Sequence, residues 1–110
     1  MEIKEQERGR VYGLLTRCGF QLRHQGTRYL MTALELYEPG MQMTKELYPA
    51  IAKQHVTTAC RVERSIRHAI AEAAVYGHGH DHDHVVGTES GRPISEVLAR
   101  LDCTMNWGVW

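Results

Sequence analysis

The chain has 110 residues, 43% of them hydrophobic and 24% charged, a balance that supports one small folded domain and excludes a disordered chain. Its 13 basic and 13 acidic side chains cancel. The longest apolar runs are too short to span a bilayer, and MEIKEQERGR lacks the apolar core of a secretory signal, so a cytoplasmic location without membrane contact is expected. Cys18, Cys60 and Cys103 are odd in number and never paired as CxxC, which fits free thiols in a reducing compartment.

In chain order, Val11, Leu14, Leu15 and Cys18 mark one face of a first helix over about 5–18, with Gly19 as its stop. Thr27 is the expected cap of a second helix to about Tyr37, with Leu30, Leu34 and Tyr37 on one face, ended by Pro39-Gly40. Met31, Met41 and Met43 read as core filling and His24 as a surface residue. Thr44 is the expected cap of a third segment to about Gln54, with Pro49 near its start. After a short turn, Thr57 or Thr58 caps a long helix to about Val75, stopped by Gly77. Residues 77–91 hold four glycines and neither period, and read as a loop. Pro93 opens a last helix to about Leu101 that uses Ile94, Val97, Leu98 and Leu101, and Trp107 and Trp110 in the tail read as packed or mobile. No strand-like alternation appears. The expectation is an all-α fold, a small bundle of about five helices in a single domain over 1–110.

Charge is unevenly placed along that chain. Lys53, Arg61, Arg64 and Arg67 face Glu63 alone between 53 and 68, whereas five acids oppose Arg92 and Arg100 from 77 onward. Ala52, a short turn, a hydroxyl residue, then Val62 and Ile66 follow the helix-turn-helix pattern over about 44–75: a small residue lets two helices cross, and apolar residues past the turn lock the second against the first. The usual turn glycine is missing, with His55 near its place. At about 100° per residue, Ala59, Val62, Ile66, Ala69, Ile70 and Ala73 fall within one arc of about 100°. Cys60, Arg64, Arg67 and His68 fall roughly opposite, flanked by Arg61. Arginine forks at successive turns suit guanine O6 and N7 as well as phosphates. The plainer alternative is a solvated helix face in which Glu63 and Glu72 pair with Arg67 and His68.

The run ELYPAIAKQHVTTACRVERSIRHAIAEA, through LYPAIAK, TTA, RVER and IRHAI, resembles the C-terminal effector domain of the stage zero sporulation protein A family; the likeness returns in RPISEVLARL. The resemblance implies an all-helical, sporulation-related regulator that binds double-stranded DNA at a short element containing TGTCGAA, with the helix after the turn in the major groove. It implies base contacts for Glu63, Arg64 and Arg67, and phosphate contacts for Cys60, Arg61 and His68 beside them. Cys60 stands where the family has a serine, and His55 and Val56 also depart from it. The family's regulator carries an N-terminal receiver domain; none is expected here, which would leave phosphorylation no switch in cis. GHGHDHDHVVGTESG stands where the family has a further helix and loop used between adjacent copies, which leaves pairing with a second copy on tandem sites, or with a full-length regulator, open.

His78, His80, His82 and His84 alternate with Gly79, Asp81 and Asp83. On an extended chain the four imidazoles share a face and would suit a divalent zinc, nickel or copper ion. Structural zinc sites usually draw on two separate ligand pairs, no second cluster exists, and glycines make ordering costly. The expectation is a solvated segment dispensable to the fold, no required cofactor, and at most a weak transition metal at these four histidines. A DNA-binding regulator leads, ahead of a metal-binding accessory protein and of an interaction module that modulates a full-length sporulation regulator. An enzyme is not expected, because no nucleophile, base and orienting residue occur together.

Overall fold

The computed structural model describes residues 2–87 and 92–107, with side chains for 9–87 and 92–105. Among them are six α-helices, one π-helical turn and no strand: α1 (Glu2–Cys18), α2 (Gln25–Leu36), the π turn Met43–Leu47, α3 (Tyr48–His55), α4 (Ala59–Tyr76), α5 (His80–Val85) and α6 (Ile94–Trp107). The fold is all-α, as the patterning predicts. No helix among the described residues is long and apolar enough to cross a membrane.

The apolar periodicities become one core. Leu14, Leu15, Leu30, Ile51, Val62, Ile66, Val97, Leu98 and Leu101 are buried together, and Met31, Met41 and Met43 pack partly buried against them. Gly19 closes α1 at φ +100°, a region that suits glycine. Its N–H bonds the Thr16 carbonyl at 3.1 Å and the Phe20 N–H bonds Leu15 at 3.0 Å, the paired bonds of a Schellman stop. Arg10 Nη2 then ties α1 to α6 through the Met105 carbonyl at 3.1 Å.

Two expected caps are displaced. His24, not Thr27, caps α2: its Nδ1 accepts the Gly26 N–H at 2.9 Å, in the way an aspartate oxygen would. Thr27 lies inside the helix, fully buried, and its hydroxyl has no partner among the described residues. Thr44 lies within the π turn, where the Glu46 carboxylate reaches back to the Gln42 N–H at 3.3 Å instead. Pro49 opens α3 at a position where its missing N–H costs nothing.

α2 lies directly on α4 because Gly26 has no side chain. A Cβ there would run into the backbone carbonyl of Ser65 and stand 2.8 Å from Ala69 Cβ. α3 packs against α4, and Ala52, 6% exposed, is buried in the same core as Val62 and Ile66. Thr58 is the cap of α4, its Oγ1 accepting the Arg61 N–H at 3.2 Å.

The stretch 77–91 departs from its reading as a loop, since 80–85 form α5; residues 88–91 lie outside the described residues. Tertiary bonds supply what propensity lacks. Arg17 Nε holds the Asp81 carboxylate at 2.7 Å in the first turn. At the other end Arg92 Nη1 donates to the His84 and Val85 carbonyls, both at 2.8 Å, and Arg100 Nη1 to His84 at 2.9 Å. These guanidinium groups satisfy terminal carbonyls that no short helix can pair internally. Val85 and Val86 enter the core beneath them. α6 runs past Leu101, with the Thr104 hydroxyl donating to the Arg100 carbonyl at 2.8 Å. Trp110 and the Trp107 side chain lie outside the described residues.

Gly26→Ala is expected to lower the free energy of unfolding by about 3 kcal/mol or more, because backbone rather than a flexible side chain must yield. Gly9→Ala, where a Cβ meets nothing within 4 Å, is expected to raise it by about 0.5–1 kcal/mol through helix propensity. Urea unfolding of both variants checks the pair.

Candidate functional site

α4 has two unlike sides. Val62, Ile66, Ala69 and Ala73 are buried, with Ala59 and Ile70 partly buried beside them. Cys60, Arg61, Arg64, Arg67 and His68 are exposed, and Glu63 is half-buried at the boundary. All six residues singled out on this helix therefore share one accessible surface.

Their charges are not equally engaged. Arg67 Nη2 bonds Glu63 Oε1 at 2.8 Å one turn away. With Arg67 68% exposed, water screens the pair, and such surface pairs contribute about 0–1 kcal/mol. Arg61 and Arg64 form no ion pair among the described residues. Among the described residues, two full guanidinium forks thus stand open on successive turns.

Two residues that patterning did not single out border this face. Tyr48 of α3 is 6% exposed, and burial pushes its hydroxyl above the ordinary tyrosine range, with the Glu63 carboxylate adding and Arg67 opposing. The phenol therefore stays neutral beside the pair. Val56 closes α3 in the left-handed region, φ 53° and ψ 55°, at 92% exposure. The missing turn glycine would have sat here rather than at His55. Left-handed backbone costs an ordinary residue about 1–2 kcal/mol. The turn is imposed by its surroundings: the Thr57 N–H bonds the Ala52 carbonyl at 2.9 Å, and His55 is held from behind. The His55 ring meets Tyr29 edge-on at 4.9 Å, and its Nε2 lies 2.7 Å from Thr32 Oγ1. His55 thus serves the scaffold rather than the surface.

The four alternating histidines do not converge. His82 is 1% exposed and its Nε2 lies 3.0 Å from the Ala73 carbonyl, which can only accept, so Nε2 carries the proton. Its Nδ1 is 3.1 Å from the Asp83 carboxylate. His78 and His80 are exposed and His84 is half-buried. Burial holds His84 below the ordinary histidine range, helped by Arg100, His80 and Arg92 and opposed by Asp81. Among the described residues no group of three or more His, Cys, Asp or Glu is arranged to hold a metal ion. Asp81 is engaged with Arg17, and its carbonyl accepts the Cys18 thiol at 3.6 Å. Burial chiefly, with the Asp81 charge adding and Arg17 opposing, pushes the Cys18 thiol up to about 12.

Residues 11–101 match the family model described as the sporulation initiation factor Spo0A C-terminal domain. That span is most of the chain, and the chain belongs to this family. The family is a DNA-binding regulatory domain rather than an enzyme, with double-stranded DNA as its partner.

His82→Ala is expected to cost about 3 kcal/mol, from a buried cavity and the loss of one of the two hydrogen bonds to the Ala73 carbonyl, which keeps the Gly77 N–H. Replacing the exposed His78 by Ser is expected to stay within about 1 kcal/mol, as for surface changes. Chemical denaturation separates the two. At pH 8 a thiol of this kind is only about 0.01% thiolate. Iodoacetamide is therefore expected to label Cys60 and Cys103, both exposed, and to spare Cys18 until denaturant is added, which mass spectrometry would read.

Proposed function

We propose that this member of the Spo0A C-terminal family is a sequence-specific transcription regulator that reads a short TGTCGAA-type element by laying α4 in the major groove. One observation carries the reading: α4 presents the open guanidinium groups of Arg61 and Arg64 on the side opposite a fully buried seam. A helix backed in this way can enter a groove as a rigid rod, since its own fold holds its rear face.

The roles follow from chemistry. Arg64 is placed for the bidentate bond to guanine O6 and N7. Arg67 spends one nitrogen on Glu63 and keeps the rest of its fork for a second base, while Glu63 can accept from a cytosine amino group. Cys60, Arg61 and His68 flank them toward the phosphates, and a thiol there is a weaker donor than a hydroxyl. The Glu63–Arg67 bond orients both partners before DNA arrives, which lowers the ordering cost of binding.

A fluorescence anisotropy titration against a duplex carrying the element and a scrambled duplex tests this across salt concentrations. Preference for the element is expected, with a slope of log affinity against log salt near −4.5 if about five phosphates are contacted. Arg64→Ala and Arg67→Ala are each expected to weaken binding to the element by about 1–3 kcal/mol and to relax base preference. Equal losses on the scrambled duplex would reduce these arginines to phosphate contacts.

A further inference from the structure

Val56 has the most exposed large apolar side chain among the described residues, at 92%, and it occupies backbone that a branched residue adopts unwillingly. It therefore adds strain to the fold and returns no packing to it. Glycine or asparagine would serve the same turn at lower cost. The turn's conformation is dictated by its neighbours: the His55 ring on Tyr29, the Thr57 bond to Ala52, and the Thr58 cap on α4. The two methyl groups are consequently held in a fixed place in water, beside exposed Thr58, Cys60 and Arg61 at the start of α4. The other exposed large apolar residues, Tyr12, Leu22, Val75 and Tyr76, belong to α1, the turn after it, and the far end of α4.

We infer that Val56 is a specificity contact for the C5-methyl of a thymine in the major groove, an inference that rests on the DNA reading of α4. When the N-terminal residues of a groove-bound helix face base edges, the turn preceding it lies at the groove wall. An apolar side chain there has no hydrogen bond to offer, and the thymine methyl is the apolar feature of the major-groove edge. The strain is also useful: a side chain whose backbone is fixed loses little freedom when it docks. A hydrophilic residue at 56 would suit solvent better but would leave that methyl uncovered.

The test is a thymine-to-deoxyuridine scan of a duplex carrying the TGTCGAA-type element and its flanks, which removes one methyl at a time and nothing else. Wild-type protein is expected to lose about fourfold in affinity at one thymine, the worth of one buried methyl group. Val56→Gly and Val56→Asn, both at ease in left-handed backbone, are expected to melt no lower than wild type by circular dichroism. Both are expected to bind the unmodified duplex about as weakly as wild type binds the deoxyuridine duplex, and to ignore the scan. Val56→Thr, which keeps the branch and one methyl, is expected to fall between. If wild type binds the element but tolerates every deoxyuridine, or if the variants keep the same sensitive thymine, the contact is overturned and the DNA reading stands. If wild type prefers no duplex at all, the DNA reading is overturned and the contact with it.

Discussion

The bare backbone contact between Gly26 and Ser65 sets the geometry on which the other packing depends. α2 can settle onto α4 only where neither chain interposes a side chain, and a single Cβ at 26 would collide with the Ser65 carbonyl. With that approach made, Tyr29 comes into edge contact with His55, and Thr32 comes within bonding distance of the same ring. α2 thus fastens α4 directly and also fastens the turn that introduces it. Its own start is anchored close by, through the His24 cap on Gly26. A second close approach holds the opposite end of α4. A Cβ on Gly77 would strike both the Cys18 carbonyl and the His82 ring, so the end of α1, the end of α4 and α5 converge where there is room for backbone and one imidazole. The exposed arginines of α4 ride on a helix clamped at both ends.

The parts legible in the sequence are those governed by periodicity. Val62, Ile66, Ala69 and Ala73 repeat at helical spacing within an eighteen-residue helix, long enough for the buried and exposed sides of α4 to be assigned from pattern alone. The cap of α4, to within the choice of Thr57 or Thr58, and the stop Gly19 were legible for a local reason, because each acts on atoms within a few residues of itself. Thr27 and Thr44 had the same local credentials and failed, since whether a hydroxyl caps a helix depends on where the helix starts, and tertiary contact decides that. His24 could not be found by a rule that looks for oxygen acceptors.

The histidine-rich stretch was misread for a different reason. Alternation with glycine and aspartate describes solvation well only when no residue has a partner elsewhere in the chain. Here three distant arginines, 17, 92 and 100, take up a carboxylate in the first turn and the carbonyls of the last. His82 reaches nine residues back to the Ala73 carbonyl. None of these bonds has a sequence signature, because each joins a residue of one helix to a residue outside it. The same holds for Val56: its left-handed backbone is imposed by the packing of α3 on its neighbours, against the residue's own preference.

The consumption of Arg17, Arg92 and Arg100 as internal fasteners has an electrical consequence. In a chain with no net charge, cations drawn into bonds at α1, α5 and α6 leave Arg61 and Arg64 on the surface of α4 without ion pairs among the described residues. Such a molecule has little monopole, so its attraction to a polyanion depends on which face is turned toward it. The field of a polyanion therefore turns it before it pulls it, and the interaction fades within roughly one screening length, about 8 Å at physiological salt. On the proposed reading of α4, approach becomes a filter on orientation: encounters with α4 facing away would be released quickly, and those with α4 leading would be held long enough to search the groove.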